Sequence, residues 1–178
     1  MAIGLRRRLL KLGKDERAAT AVEFALLITP LVTLILASLQ LSLIFYAGQA
    51  LQSVAVTAGR TLMTGQAQDA GDTQSQYHQV VCNSAPILFS CNGLMVDVQS
   101  ASQYSKINTT PITLTYDVHG NVTNTWSYSP GSPGDVVILR VMYNWPVVAS
   151  PLMVGMANQP NGDHLLVGVS VFKNEPYQ

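Results

Sequence analysis

Hydrophobic and polar positions divide this chain into three regimes. From Phe24 to Tyr46 no residue carries a charge, and the uncharged run continues to Gly59. An apolar stretch of that length is enough for a helix that crosses a bilayer. After Tyr46 the pattern narrows to one stripe at helical spacing, Leu51, Ala55, Ala58 and Leu62, with Gln49, Gln52, Ser53 and Arg60 off that face. A helix with one apolar side rests that side on a core. The spacing thus predicts one continuous helix to about Thr64, stopped by Gly65. Pro30 lacks a backbone donor and crowds the carbonyl of Leu26, so a kink is expected there. Ala55-x-x-x-Gly59 is a small-residue pair of the kind that permits close helix approach.

Beyond Gly65 the periodicity changes. Gln66 to Gly71 reads as a polar connector, and Asp72 or Thr73 can cap a second helix running through Tyr77, Val80 and Val81 toward Pro86. Period-two alternation follows: Leu94, Val96 and Val98 interleave with Met95, Asp97 and Gln99, a half-buried strand. Residues 112–117 and 122–128 flank His119-Gly120-Asn121 as a hairpin candidate, rich enough in Thr, Ser, Asn and Tyr to read as a solvated ribbon. The Pro-Gly-Ser-Pro-Gly run ending at Gly134 is a turn that launches the clearest strand, with Val137, Leu139, Val141, Tyr143 and Trp145 on one face and Arg140 and Asn144 on the other. Ser150-Pro151 opens a short helix through Met156. Leu165, Val167, Val169 and Val171 form the last strand. The fold class is α+β: a long N-terminal helix, then one small domain of roughly 130 residues with an antiparallel sheet and short helices.

Charge then orients the chain. The formal net charge is zero, yet Arg6, Arg7, Arg8, Lys11, Lys14 and Arg17 precede the helix against only Asp15 and Glu16. Beyond Glu23 the balance reverses. Basic flanks stay cytoplasmic, which puts the domain on the far side of the inner membrane, with no basic face for nucleic acid. A cleaved secretory signal would have an apolar core of about 7–15 residues, shorter than this one, so the helix is retained as an anchor. Cys82 and Cys91 fall in the exported part, where a disulfide is the default. Nine positions apart, they are too distant to bond within one straight helix, but the break at Pro86 removes that obstacle. Two buried thiols are the alternative. A metal set is a weaker reading, since His78 is the only nearby imidazole and no acid completes it.

Candidate chemistry is sparse. His78, His119 and His164 have no metal-type spacing, and no nucleophile elbow or phosphate loop is present, so neither an enzyme nor a cofactor is expected. Trp126 and Tyr128, in the polar ribbon, are candidates for partner contact, with packing on the sheet as the alternative. Glu23 has two readings. Thr20-Ala-Val-Glu23 matches the capping box that satisfies a helix's first donors; equally, a carboxylate at the mouth of a spanning helix costs about 2.5–3.5 kcal/mol and calls for a partner.

The block Asp15-Glu16-Arg17-Ala18-Ala19-Thr20-Ala21-Val22-Glu23-Phe24-Ala25-Leu26-Leu27, followed by Pro30, resembles the N-terminus of TadE-like minor pilins (pseudopilins) of the tight-adherence, or Flp, type IV pilus system. Pro133 to Tyr143 and the closing Asn174-Glu-Pro-Tyr177 resemble C-terminal segments of the same proteins. The resemblance implies that a prepilin peptidase cuts between Ala18 and Ala19, where the family usually has glycine before the cut. Glu23 then becomes the fifth mature residue and pairs with a mature N-terminal amine. It also implies other pilins and an inner-membrane assembly platform as partners, beside the lipid bilayer, and a bend at Pro30 that lets subunits pack. The expected organisation is a basic cytoplasmic leader, 1–18; a long helix, 19–64, spanning the membrane over 24–46; and a periplasmic α+β domain, 65–178. The expected function is pilus assembly for surface adhesion. An uncleaved, single-pass periplasmic accessory or binding module is the alternative.

Overall fold

The computed structural model describes residues 16–147 and 155–176, with side chains from Thr20 onward. The basic leader and most of the helix expected after Ser150 lie outside the described residues. Helix α1 runs Glu16–Met63 without interruption and contains Pro30. Its bounds follow from the sequence: no strong breaker other than Pro30 interrupts it, and Gly65, at φ 79°, adopts the left-handed conformation that turns the chain out. Two compact units divide the chain, one up to Leu41 and one from Ser42 onward.

In the first unit apolar side chains point outward, Leu26 at 70% and Leu27 at 74% exposed. Such a surface suits lipid or other apolar helices, not water. The stretch from Thr20 is the one helix, among the described residues, long and apolar enough to cross a membrane.

The second unit is built on the other half of α1. Leu51, Ala55, Ala58 and Leu62, the stripe read from the sequence, are fully buried, and Ala47 extends it by one turn. Residues 66–71, expected as a polar connector, begin with a one-turn helix α2 (Gln66–Asp69). The Gln68 amide nitrogen donates to the Leu62 and Pro130 carbonyls and holds that turn in place. Helix α3 (Gln74–Ser84) starts at Thr73 with a reciprocal capping box to Gln76.

The sheet has three antiparallel strands in the order β1 (Leu94–Ala101), β2 (Val136–Trp145) and β3 (His164–Lys173). Register sets its two faces. Val96, Val141 and Gly168 align, as do Val98, Leu139 and Ser170, and these rows face the helices. The opposite rows align Met95 with Met142 and Val167, and Asp97 with Arg140 and Val169.

Three expectations change here. β1 is buried on both faces where half burial was expected, because the ribbon lies across the outer one. That ribbon has two isolated bridges in place of regular strands, Tyr116–Val122 between its arms and Tyr128–Val98 onto β1; side-chain bonds such as Thr115 N–H to Asn124 Oδ1 supplement its few backbone bonds. One of its sides is apolar after all: Leu114 is buried, with Ile112, Tyr116, Val122 and Trp126 packed around Met95 and Met142. In its turn, Gly120 supplies φ 82°. Bonds from the Asn121 amide and from the Asn121 and His119 backbone hold the exposed Asp117 carboxyl below its ordinary range.

Candidate functional site

Glu23 is exposed on α1 and has no hydrogen-bond or ion-pair partner among the described residues. The capping-box explanation fails for this chain. An N-cap residue has non-helical backbone, whereas α1 begins at Glu16 and Thr20 is already inside it. Glu23 therefore lies in a formed helix, its carboxylate unused by any end of that helix. Ala18 and Ala19 lie in the same helix, and their side chains are outside those described.

Pro30 sits about two turns beyond Glu23. It leaves the Leu26 carbonyl without its usual donor. The Thr29 hydroxyl donates to Ala25 O at 2.7 Å and that of Thr33 to Pro30 O at 2.8 Å. One threonine thus bonds the carbonyl next to that of Leu26 and the other the proline's own carbonyl, so that each hydroxyl proton is satisfied within the helix, as an apolar medium requires.

In the second unit α1 meets the sheet at very short range. A Cβ placed on Gly168 would fall 2.6 Å from Leu51 O, and one on Gly59 would fall 3.0 Å from the Phe172 ring and Ser170. The Ala55-x-x-x-Gly59 pair is thus used against the chain's own strand. Close approach lets Gln52 bond β3 as a neighbouring strand would: its amide donates to Val169 O at 2.8 Å, and its oxygen accepts from Val169 N–H at 2.9 Å. This covers one position of an edge strand, the usual site of unwanted pairing.

Cys82 and Cys91 form a disulfide with their Cα atoms 5.3 Å apart. It joins the end of α3 to the 3₁₀ turn Cys91–Gly93 that leads into β1. By the chain-entropy estimate such a loop contributes roughly 2.5–3 kcal/mol.

Trp126 and Tyr128 are both half-buried and pack within the chain, Trp126 against Met95 and Met142 and Tyr128 in the helix-facing core. Tyr128 lies ring to ring with Tyr77 at 5.4 Å. Burial, and secondarily the Asp72 charge, pushes the Tyr128 phenol up to about 12. Burial raises Tyr77 further.

Sequence patterns did not single out the ion pair on the outer face. Arg140 Nη1 lies 3.2 Å from Asp97 Oδ2, with both side chains almost fully buried. Asp97 also accepts from the Ser127 backbone N–H and the Gln99 amide, and Arg140 donates to Asn108 O. The pair ties the ribbon to the sheet. The usable signal was opposite charge on the same face of two strands.

The two segments that resembled family C-termini come together. Asn174 N–H donates to Asp135 O at 2.8 Å and Gly134 N–H to Asn174 O at 3.1 Å, while Glu175 N–H donates to Met63 O. The end of the chain is thereby fastened to the end of α1.

Of the histidines, His119 is exposed in the ribbon turn, His164 contacts Met156 O, and His78 lies beside Cys82. They are dispersed, and no convergent catalytic set forms among the described residues. Comparison with curated proteins and with solved structures found no match. The family model described as TadE-like protein matches residues 18–60, and its members are structural and associated with the tight-adherence pilus. It is over this stretch, the helix that carries Glu23 and Pro30 and lays its far half on the sheet, that the chain is similar to TadE-like proteins.

Proposed function

We propose that this chain is a minor pilin (pseudopilin) that acts in assembling a tight-adherence pilus for surface adhesion, by priming polymerisation, joining the filament or capping its tip. One observation carries the reading: the TadE-like match over 18–60 coincides with an apolar helix that contains Pro30 and carries near its head an acid without a partner among the described residues. The leader, 1–18, stays cytoplasmic by its arginines and lysines, α1 spans the inner membrane over 24–46, and residues 65–178 form the periplasmic domain.

A prepilin peptidase cuts between Ala18 and Ala19. The cut removes six basic residues and creates one α-amine at the head of the helix. That amine neutralises Glu23 when helices of sister pilins pack together, offsetting the cost of about 2.5–3.5 kcal/mol that a lone carboxylate meets in hydrocarbon. A bend at Pro30 lets the packed helices adjust as the assembly platform extracts the subunit.

Intact-mass measurement of the chain, expressed with and without a tight-adherence prepilin peptidase, tests this. The expected product begins at Ala19. An unchanged mass supports the second reading, an uncleaved anchored accessory module, which Ala18 favours by standing where the family usually has glycine. Glu23→Ala is expected to leave membrane insertion intact and to reduce piliation or co-purification with partner pilins; normal pili in that variant would remove the role given to the acid.

A further inference from the structure

We propose that the reduced form of the Cys82–Cys91 pair, together with His78, is a binding site for one zinc-class divalent cation. The ligand atoms of these three residues all lie within 4.8 Å of one another. His78 and Cys82 are one helical turn apart on α3, which puts both side chains on one face, and His78 Nδ1 lies 3.8 Å from Cys82 Sγ. Zinc bonds of about 2.3 Å to sulfur and 2.0–2.1 Å to nitrogen put adjacent tetrahedral ligands about 3.5 Å apart. The imidazole is already near its coordinating position.

Its orientation is fixed from the other side. His78 Nε2 lies 3.0 Å from Leu94 O. A carbonyl only accepts, so Nε2 carries a proton, and the ring form that binds a metal is the one whose Nδ1 lone pair faces the sulfurs. Anchoring the distal N–H on a backbone carbonyl is how metal-binding histidines are held. The site is partly buried, and among the described residues no further histidine, cysteine or acid joins the three. The fourth position is left to water.

The disulfide and the metal exclude each other. An external dithiol reduces the cystine by exchange: the S–S bond breaks, both cysteines leave as thiols, and the dithiol becomes a cyclic disulfide, with two electrons and two protons transferred. Metal binding then releases both thiol protons. The reverse exchange, in which an external cyclic disulfide takes the two electrons and becomes the dithiol, re-forms the Cys82–Cys91 bond and expels the cation. The junction between α3 and β1 thus has two closures, one covalent and one coordinate, selected by redox state. The wider role of the chain in a pilus does not enter this inference.

Full-length chain in detergent is reduced with a water-soluble phosphine, which supplies the same two electrons and becomes the phosphine oxide with oxygen from water. It is then titrated with Co²⁺, and Zn²⁺ is added as competitor. We expect one Co²⁺ per chain with thiolate-to-cobalt charge-transfer absorption, displaced by Zn²⁺, and no such band in the oxidised chain. His78→Ala should weaken Co²⁺ binding by more than the roughly 10–100-fold lost with a second-shell partner, while its oxidised form keeps the wild-type circular dichroism. No charge-transfer band in the reduced wild type, or equal affinity in His78→Ala, overturns the site. So does a reduced chain that unfolds and is not restored by Zn²⁺.

Discussion

Tyr77 and Tyr128 share one aromatic contact but differ at their hydroxyls. The Tyr77 hydroxyl donates to Ala58 O at 2.9 Å, joining α3 to α1, whereas the buried Tyr128 hydroxyl has no partner among the described residues. A made bond is worth about 1 kcal/mol, and a buried group without a partner costs free energy. Urea unfolding in detergent should therefore show Tyr77→Phe destabilised by about 1 kcal/mol and Tyr128→Phe unchanged or slightly stabilised. Equal losses in both would mean that the hydroxyls are not what separates them. Asp97 and Arg140 give a second contrast. Arg140→Met leaves a buried carboxylate without its cation and should cost about 3–5 kcal/mol, while the double change Asp97→Leu with Arg140→Met should recover most of that loss. If the double variant is as unstable as the single one, the pair is more than a mutual compensation of two buried charges.

Among the elements, β3 shows why hydrophobic alternation can point to the wrong side. Its valines, Val167, Val169 and Val171, are 37–47% exposed, and the helix-facing positions are Leu166, Gly168, Ser170 and Phe172. Small residues occupy the inner face because α1 comes too close for larger ones, so polarity and burial separate in this strand. The length of α1, its buried stripe and the α3 cap were legible because each rests on local spacing. The ribbon, the turn of α2 and the Asp97–Arg140 pair rest on contacts between distant segments, which a linear pattern does not encode. At the helix head Thr20-x-x-Glu23 fitted a capping box, yet the helix begins upstream, and only the structure removed that explanation of Glu23. Close approach at β3 makes its own prediction. Gly168→Ala puts a methyl 2.6 Å from Leu51 O, a backbone atom that cannot rotate away, and should cost about 1–3 kcal/mol as overpacking does. It should also loosen the Gln52 bonds at Val169, read as faster amide exchange of Val169. Wild-type stability in this variant would show that the strand can retreat from the helix.

At the scale of the whole molecule, the unit from Ser42 onward holds α1 to α3 and the sheet through a core in which Tyr77 and Tyr128 sit between them. Both phenols are raised by burial, so the fold binds their protons more tightly than the unfolded chain does. The sign follows from linkage. Their contribution is fully present below the ordinary phenol value near 10 and is lost as pH rises through the folded values, of which that of Tyr128 is about 12. Alkaline titration in detergent should therefore leave the unit intact to about pH 10 and unfold it above, with tyrosinate absorbance rising together with loss of near-ultraviolet circular dichroism. Because the hydroxyl of Tyr77 is the more deeply buried, Tyr77→Phe should flatten the alkaline limb, even though that variant is less stable at neutral pH. Tyr104 is exposed, 62% accessible, and Tyr104→Phe should leave the limb unchanged. Should Tyr77→Phe and Tyr104→Phe give the same alkaline slope, the seam between helix and sheet would not be where the chain senses high pH. An unfolding limb that tracks Tyr77 would place that seam at the point where α3 closes over α1.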